Sequence, residues 1–287
     1  MEEARFGRHF VCLTALFILG ESVIGLPYNN SGGYSVLAFI AAAALGLLVL
    51  AVGFLLLKFA CRFKAAAAFL YLAAAVYALY LSGAAFKEFL LFAAKILLPS
   101  TPRFFVAAIF IIVCAYLALK SREVLLKLSV LAFPIAAVGI ILFFFLSFKD
   151  FNTEWLIINR LPDIKEFLRD GAPMALNVSL PFLLLPVLGE CFLPNKRKRA
   201  AFSGGVIGIL LLALCFFDSI LLFGTSLAAR CEFPLYSAVS TVTVGPLFTR
   251  MDGIVFCLYF LTALIKTSVC LKICVFSLKR VKSAFKN

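Results

Sequence analysis

Three ionisable residues lie inside long apolar stretches of the sequence, where charged side chains are rare. Glu21, Asp218 and Lys266 each fall within a run long enough to cross a membrane. A charge at that depth costs about 2.5–3.5 kcal/mol on insertion scales, so such a residue usually faces a partner, a cavity or a ligand. The alternatives are a buried pair that holds two helices together and, for Asp218, a position near the outer interface.

Two helix interruptions accompany these charges. The first apolar run contains two glycines and Pro27, and the sixth contains three prolines. Proline removes a backbone donor and leaves carbonyl groups without their helical partners. In transporters with inverted repeats, paired interruptions mark the substrate site near the membrane midplane, and these two are five spans apart. Ordinary kinks are the alternative, because Gly and Pro are frequent in membrane helices. We predict ligand-binding residues at both interruptions: Gly20, Glu21, Ser22, Gly25, Asn177 and Ser179.

The sequence offers no pattern typical of an enzyme. His9 is its only histidine, which argues against a Ser–His–Asp triad, and it contains no P-loop for ATP. The nine cysteines have no CxxC spacing and lie mostly inside apolar runs, where a thiol behaves as a small hydrophobe. We therefore predict a protein that is not an enzyme, with no catalytic residues, no metal site and no cofactor.

Composition defines the elements that must hold these residues. Of 287 residues, 64% are hydrophobic, and the mean hydropathy is +1.10. Continuous runs of about 20 apolar residues predict helices, because barrel strands would alternate. We predict an all-α polytopic membrane protein with a single transmembrane domain over residues 1–287, and a short surface helix at Phe233-Pro234. The predicted spans are about 8–26, 34–57, 65–92, 104–119, 124–148, 171–193, 202–227 and 253–276.

Positively charged residues between the spans predict the orientation. The net charge is +13. With the N-terminus in the cytoplasm, 17 of the 27 Lys and Arg residues fall in inner segments and 9 in outer segments. This bias predicts that both termini are cytoplasmic. Because the basic residues flank apolar spans, they are suited to lipid head groups, and we predict no nucleic-acid partner.

Three stretches of the sequence carry a resemblance to a known family. The most specific is Phe233-Pro234-Leu235-Tyr236, continuing through Arg250-Met251-Asp252 to Leu264-Ile265-Lys266-Thr267-Ser268. The others are Leu19-Gly20…Ile24-Gly25-Leu26-Pro27 and the basic run Leu193-Pro194-Asn195-Lys196-Arg197-Lys198. With these stretches in order, the chain resembles the permease-like B subunit (GerAB type) of GerA-family spore germinant receptors, a branch of the amino acid–polyamine–organocation transporter superfamily.

The resemblance implies a LeuT-type inverted-repeat helix bundle. Family members have about ten spans, so we expect a bundle truncated to about eight. Spans one and eight touch beside the first-span break in such folds, which implies an intramembrane charge pair between Glu21 and Lys266.

The resemblance also implies a function, a location and partners. The function is that of a spore germination receptor subunit that binds a small germinant, such as an amino acid, in the inner membrane of the endospore. The implied partners are the receptor's A and C subunits. The alternatives are an amino acid permease-type secondary transporter and a structural assembly subunit with a vestigial site.

Overall fold

The computed structural model of the chain describes residues 2–20, 35–60, 62–156, 164–192, 197–241 and 252–286. Every regular element within these ranges is helical. Long apolar runs form helices here because a helix satisfies all of its backbone hydrogen bonds internally, as an apolar surrounding requires.

The first half of the chain forms five α-helices joined by short connections. These are α1 (Glu2–Leu19), α2 (Ser35–Ala60), α3 (Lys64–Phe92), α4 (Arg103–Leu119) and α5 (Arg122–Ser147). A π-helical turn, Ala93–Leu97, extends α3. Two 3₁₀ turns, Phe148–Asp150 and Thr153–Leu156, follow α5.

The second half contains the interrupted span and the longest helix. Its elements are α6 (Ile164–Ser179), a 3₁₀ segment (Leu180–Leu184), α7 (Leu185–Phe192), α8 (Arg197–Ala228), α9 (Pro234–Thr241) and α10 (Asp252–Lys286). The helix changes to 3₁₀ geometry at Leu180-Pro181, so the predicted interruption of the sixth span is present. α8 is kinked at Gly224, which has φ 68° and ψ 166°.

The helices confirm an all-α polytopic membrane protein. Within the described ranges, six segments are long and apolar enough to cross a membrane: Ser35–Ala60, Lys64–Leu97, Arg122–Asp150, Gly171–Phe192, Lys198–Ala228 and Val255–Ser283. Two shorter apolar helices are Phe6–Leu19 and Arg103–Leu119. These eight stretches follow the order of the eight predicted spans. The count of eight crossings stays a prediction, because the two shorter helices fall below the length of about 20 residues that a bilayer core requires.

α1 and α10 form the interior of the bundle. Every residue of α1 from Leu13 to Leu19 is buried, and α10 packs against α3, α4, α5 and α1. α2, α3 and α4 instead expose apolar side chains such as Leu55, Phe69 and Ile112. A surface of that kind suits lipid, so the polar residues of α1 and α10 lie in the protein interior.

A glycine groove on α8 receives α1. A Cβ added at Gly204 would lie 2.7 Å from Cβ of Thr14 and 2.8 Å from the carbonyl oxygen of Val11. One added at Gly208 would lie 3.0 Å from Cβ of Ile18. Small residues four apart let two membrane helices approach closely, and here they bring α1 and α8 into backbone contact.

The short helix α9 begins at Pro234, as expected of a proline at the first helical position. The helix stands where a short surface helix was predicted; it buries Leu235 and Ala238 and exposes Ser240 and Thr241. α9 packs against α8 and α10 because its apolar face finds contacts inside the bundle.

Candidate functional site

The C-terminal end of α1 lies against the middle of α10. Gly20 follows the last residue of α1 with φ +20°, and its N–H donates to the carbonyl of Leu16 at 2.9 Å. Lys266 is 0% exposed, and its Cδ lies 2.1 Å from where a Cβ of Gly20 would be. Only a glycine leaves room for the lysine stem here. The Lys266 ammonium is 5.9 Å from the centroid of the Phe17 ring, within the range of a cation–π interaction.

The predicted partner of this lysine adjoins the contact in the sequence. Glu21, Ser22 and Gly25 belong to residues 21–34, which lie outside the described residues. The charge pair between Glu21 and Lys266 therefore stays a prediction.

The centre of α10 carries buried hydroxyl groups that the sequence reasoning did not single out. The Thr262 hydroxyl donates to the Tyr259 carbonyl at 3.0 Å and reaches the Gly20 carbonyl at 3.5 Å. Thr267 and Ser268 are also buried. The signal was visible in the sequence as three hydroxyl residues within two turns of Lys266. All three are buried, so this stretch of α10 carries polar groups into the bundle interior.

The predicted residues of the sixth span occupy the end of α6. Ser179 is buried, and its hydroxyl donates to the Ala175 carbonyl of its own helix. Asn177 is half-buried. The 3₁₀ segment that follows them contacts both α1 and α2. The two interruptions therefore lie on contacting elements, while the donor of Ser179 is used within α6.

A carboxylate on α7 joins the polar interior, and sequence reasoning missed it. Glu190 accepts a hydrogen bond from the Tyr71 hydroxyl of α3. Tyr71 is buried and contacts the ring of Phe276 edge-on at 6.4 Å. Glu190 stands three residues before the predicted end of the sixth span, so its position resembled that of an interfacial residue. The bond links the interrupted span to α3.

Asp218 of α8 is buried beneath the connection that follows α5. It is 1% exposed and faces the Ser147 hydroxyl at the end of α5. Neither of its carboxylate oxygens has a hydrogen bond of ordinary geometry within the described residues. The Asn152 N–H donates to the Leu221 carbonyl at 3.0 Å, which fixes the 3₁₀ turns over this end of α8. Asp218 thus faces protein and not lipid.

Two cavities open between the helices. One of about 170 Å³ lies between α2, α3 and the interrupted span, with apolar walls and Tyr77 among its lining residues. The other, of about 610 Å³, lies where α1, α4, α5, α7 and α10 meet. Within the part of the chain that the structure describes, neither is lined by Gly20, Asn177 or Ser179. The described ranges also contain no group of three His, Cys, Asp or Glu side chains able to hold a metal ion.

Comparison with known proteins gives one family. The spore permease family, described as spore germination protein, matches residues 8–287. No curated protein matches the chain. The match includes both interruptions, all of α8 and all of α10.

Proposed function

We propose a function in spore germination from the premise that the chain belongs to the spore germination protein family, which it matches over residues 8–287. That family is of the permease or receptor type and is not a family of enzymes. The chain is therefore an integral membrane protein with a receptor or permease-like role in germination. Our proposal is more specific: it is the permease-like subunit of a germinant receptor and binds a small germinant, such as an amino acid, within the membrane.

The observation that carries this proposal is the contact between Gly20 and Lys266. A positive-φ glycine after Leu19, a buried ammonium and a threonine hydroxyl meet at one point in the bundle interior. The Lys266 ammonium suits a ligand carboxylate, whereas carbonyl groups at the C-terminal end of α1 suit a ligand ammonium, so the two together suit an amino acid. The glycine supports a close approach of ligand to backbone, because it adds no side chain there. In our proposal Glu21, Ser22 and Gly25 continue this site, and Asn177 and Ser179 border it.

The proposal extends to the protein's location, its orientation, its partners and the arrangement of its helices. We propose the inner membrane of the endospore as its location, both termini in the cytoplasm, and the receptor's A and C subunits as partners. A LeuT-type arrangement, with α1 to α5 as one repeat and the interrupted span opening a second, is part of the same proposal. The distribution of basic residues supports the orientation.

The orientation is tested by labelling single cysteines in a cysteine-free background. We expect Lys196→Cys to be labelled from inside and Asp163→Cys from outside. The reverse labelling pattern would contradict the proposed orientation.

The binding site is tested by enlarging one glycine of the first interruption. We expect Gly25→Leu to abolish binding of a labelled germinant amino acid while the protein still inserts in the membrane. The matched control is Gly83→Leu on α3, where an added Cβ meets nothing within 4 Å. If Gly25→Leu binds and responds as the unmodified protein does, the site is not at this interruption.

A transport assay separates the two candidate activities. Proteoliposomes that contain the purified chain should bind the amino acid without accumulating it if the chain is a sensor. Accumulation of the amino acid driven by a proton gradient would instead identify a secondary transporter. Co-purification with the A and C subunits from spores supports the receptor role, and a chain that purifies without either subunit contradicts it.

A further inference from the structure

The larger cavity, of about 610 Å³, combines a cationic lining with apolar walls. It lies at the predicted cytoplasmic ends of the helices, where the turn between α4 and α5 approaches α7 and α10. The described residues among those proposed to bind a germinant, Gly20, Asn177 and Ser179, do not line it. A site there is therefore separate from the proposed function, and the two can be tested independently.

Among the residues that the structure describes, four cations and one carboxylate line this cavity. The cations are Lys120, Arg122, Lys272 and Lys279, and the carboxylate is Glu123. Glu123 also lies 3.9 Å from Lys127 on the next turn of α5, which offsets part of its charge. The cavity therefore holds an excess of positive charge. A cleft with one sign of charge and low-dielectric walls concentrates ions of the opposite sign.

One of these cations is held by the backbone. The Lys272 ammonium donates to the carbonyl of Ala118 at 3.0 Å and also to that of Lys120, so it caps the C-terminal end of α4. α5 begins directly afterwards, at Arg122, and its positive dipole end adds to the same side of the cavity. The charges thus sit on fixed elements, since the two helix ends are joined by a turn of two residues.

The opposite walls of the cavity are apolar. Phe6, Leu126, Val275 and Phe276 contribute to them, and the neighbouring Leu119 is among the most exposed apolar residues of the bundle. A free anion gains no favourable contact from apolar walls. A phospholipid does, because its phosphate can lie among the cations while its acyl chains pack on the apolar surface. Basic pockets between membrane helices on the cytoplasmic side bind anionic head groups in this way.

We propose that this cavity binds a phosphate-bearing anion, and that its source is the head group of an anionic phospholipid such as phosphatidylglycerol. Lys120, Arg122 and Lys279 contact the phosphate, and Lys272 holds the α4–α5 turn in place. The bound lipid then ties the ends of α4, α5 and α10 to one another at the membrane surface.

The test measures lipid retention by the full chain. The purified chain is titrated with phosphatidylglycerol, phosphatidylcholine or inorganic phosphate, and binding is followed by native mass spectrometry and by the thermal unfolding midpoint. The site variant is Lys120→Gln/Arg122→Gln/Lys279→Gln. The matched control is Lys58→Gln/Arg62→Gln/Lys64→Gln, which removes three basic residues from the predicted same side but outside the cavity.

We expect the site variant to bind phosphatidylglycerol roughly tenfold or more weakly and the control to stay within about twofold of the unmodified chain. Stabilisation by inorganic phosphate alone would keep the site and assign it to a soluble anion. Equal losses in both triple variants, or equal binding of phosphatidylcholine, would overturn the proposal. If the triple variant does not fold, Lys279→Gln is compared with Lys282→Gln on the same helix, and an equal response of the two overturns it as well.

Discussion

Two regions of the bundle each combine a positive-φ glycine with a buried ionisable side chain, and they use this combination differently. At the end of α1, Gly20 is in direct contact with Lys266. At the kink of α8, Gly224 contacts the ring of Trp155, and Asp218 lies nearly two turns earlier. Gly20 leaves space for the Lys266 side chain, whereas Gly224 leaves space for the Trp155 indole at the predicted outer end of α8.

The difference shows in how each charge is surrounded. The Lys266 ammonium has the Phe17 ring nearby, and Lys266 packs on Gly20, where the backbone has a positive φ. Asp218 faces a single hydroxyl, that of Ser147, inside an intact part of its helix. Both glycines depart from helical geometry, but Gly20 is in contact with a buried charge, whereas Gly224 is covered by the Trp155 ring. We therefore expect function to depend on the Gly20 region and packing to depend on the Gly224 region.

The largest effect is expected from Lys266→Ala. Removing one member of a buried pair leaves the other uncompensated, which destabilises a protein by about 3–5 kcal/mol. Lys266→Ala should lower membrane abundance and germination response more than Glu21→Gln does. The double variant should be less harmful than the two single effects combined, because contacting residues couple. A double-mutant cycle on both readouts measures this, and strictly additive effects would rule out the pair.

Substitution of the two glycines should give the next largest effect, and it distinguishes the Gly20 region from the Gly224 region most directly. A side chain at either position meets backbone strain of about 1–3 kcal/mol. The added Cβ would also lie 2.1 Å from Lys266 at Gly20 and 2.8 Å from Trp155 at Gly224. Both Gly20→Ala and Gly224→Ala should lower the thermal unfolding midpoint, but only Gly20→Ala should weaken germinant binding. Equal losses of binding in the two variants would break the comparison.

Asp218→Asn should have a smaller effect, about 1 kcal/mol or less in stability, because it keeps the shape and removes a charge without a regular hydrogen bond. Thermal unfolding and germinant binding of the variant are the measurements, with the exposed Asp150→Asn as the control. A loss of binding as large as that of Lys266→Ala would make Asp218 part of a functional site.

Thr262→Val should have the smallest effect, about 0.5 kcal/mol, because the hydroxyl already bonds within its own helix and reaches Gly20 only at 3.5 Å. The measurement is germinant affinity at constant protein abundance. A marked loss of affinity would show that Thr262 positions the Gly20 carbonyl, and it would enlarge the functional region by one turn of α10.

The helices were predictable because a long apolar run in lipid must satisfy its backbone hydrogen bonds internally, and a helix does this within one segment. The interruption at Leu180 was predictable too, since Pro181 removes a backbone donor. Lys266 stood out because a lysine inside an apolar run is costly to bury. These features depend on residues close to one another in the sequence.

Features that depend on residues far apart were not predictable. The bond between Tyr71 and Glu190 joins residues 119 positions apart, and nothing in either local sequence indicates the other. The turn that fixes Asn152 on Leu221 covers Asp218 only after α5 and α8 have packed. Ser179 was correctly placed at an interruption, but its donor is used by Ala175, a choice that depends on rotamer and local geometry.

The glycine groove between α1 and α8 has a mechanical consequence. Thr14 and Ile18 of α1 lie directly against Gly204 and Gly208 of α8. Because the two helices are in backbone contact there, α1 cannot slide or rotate over α8 without disrupting the packing. Packed interfaces of this kind move as rigid bodies, and displacement concentrates where packing is looser. A displacement of α1 at Gly20 is therefore expected to move α8 with it, as far as the kink at Gly224 and the Trp155 ring packed there.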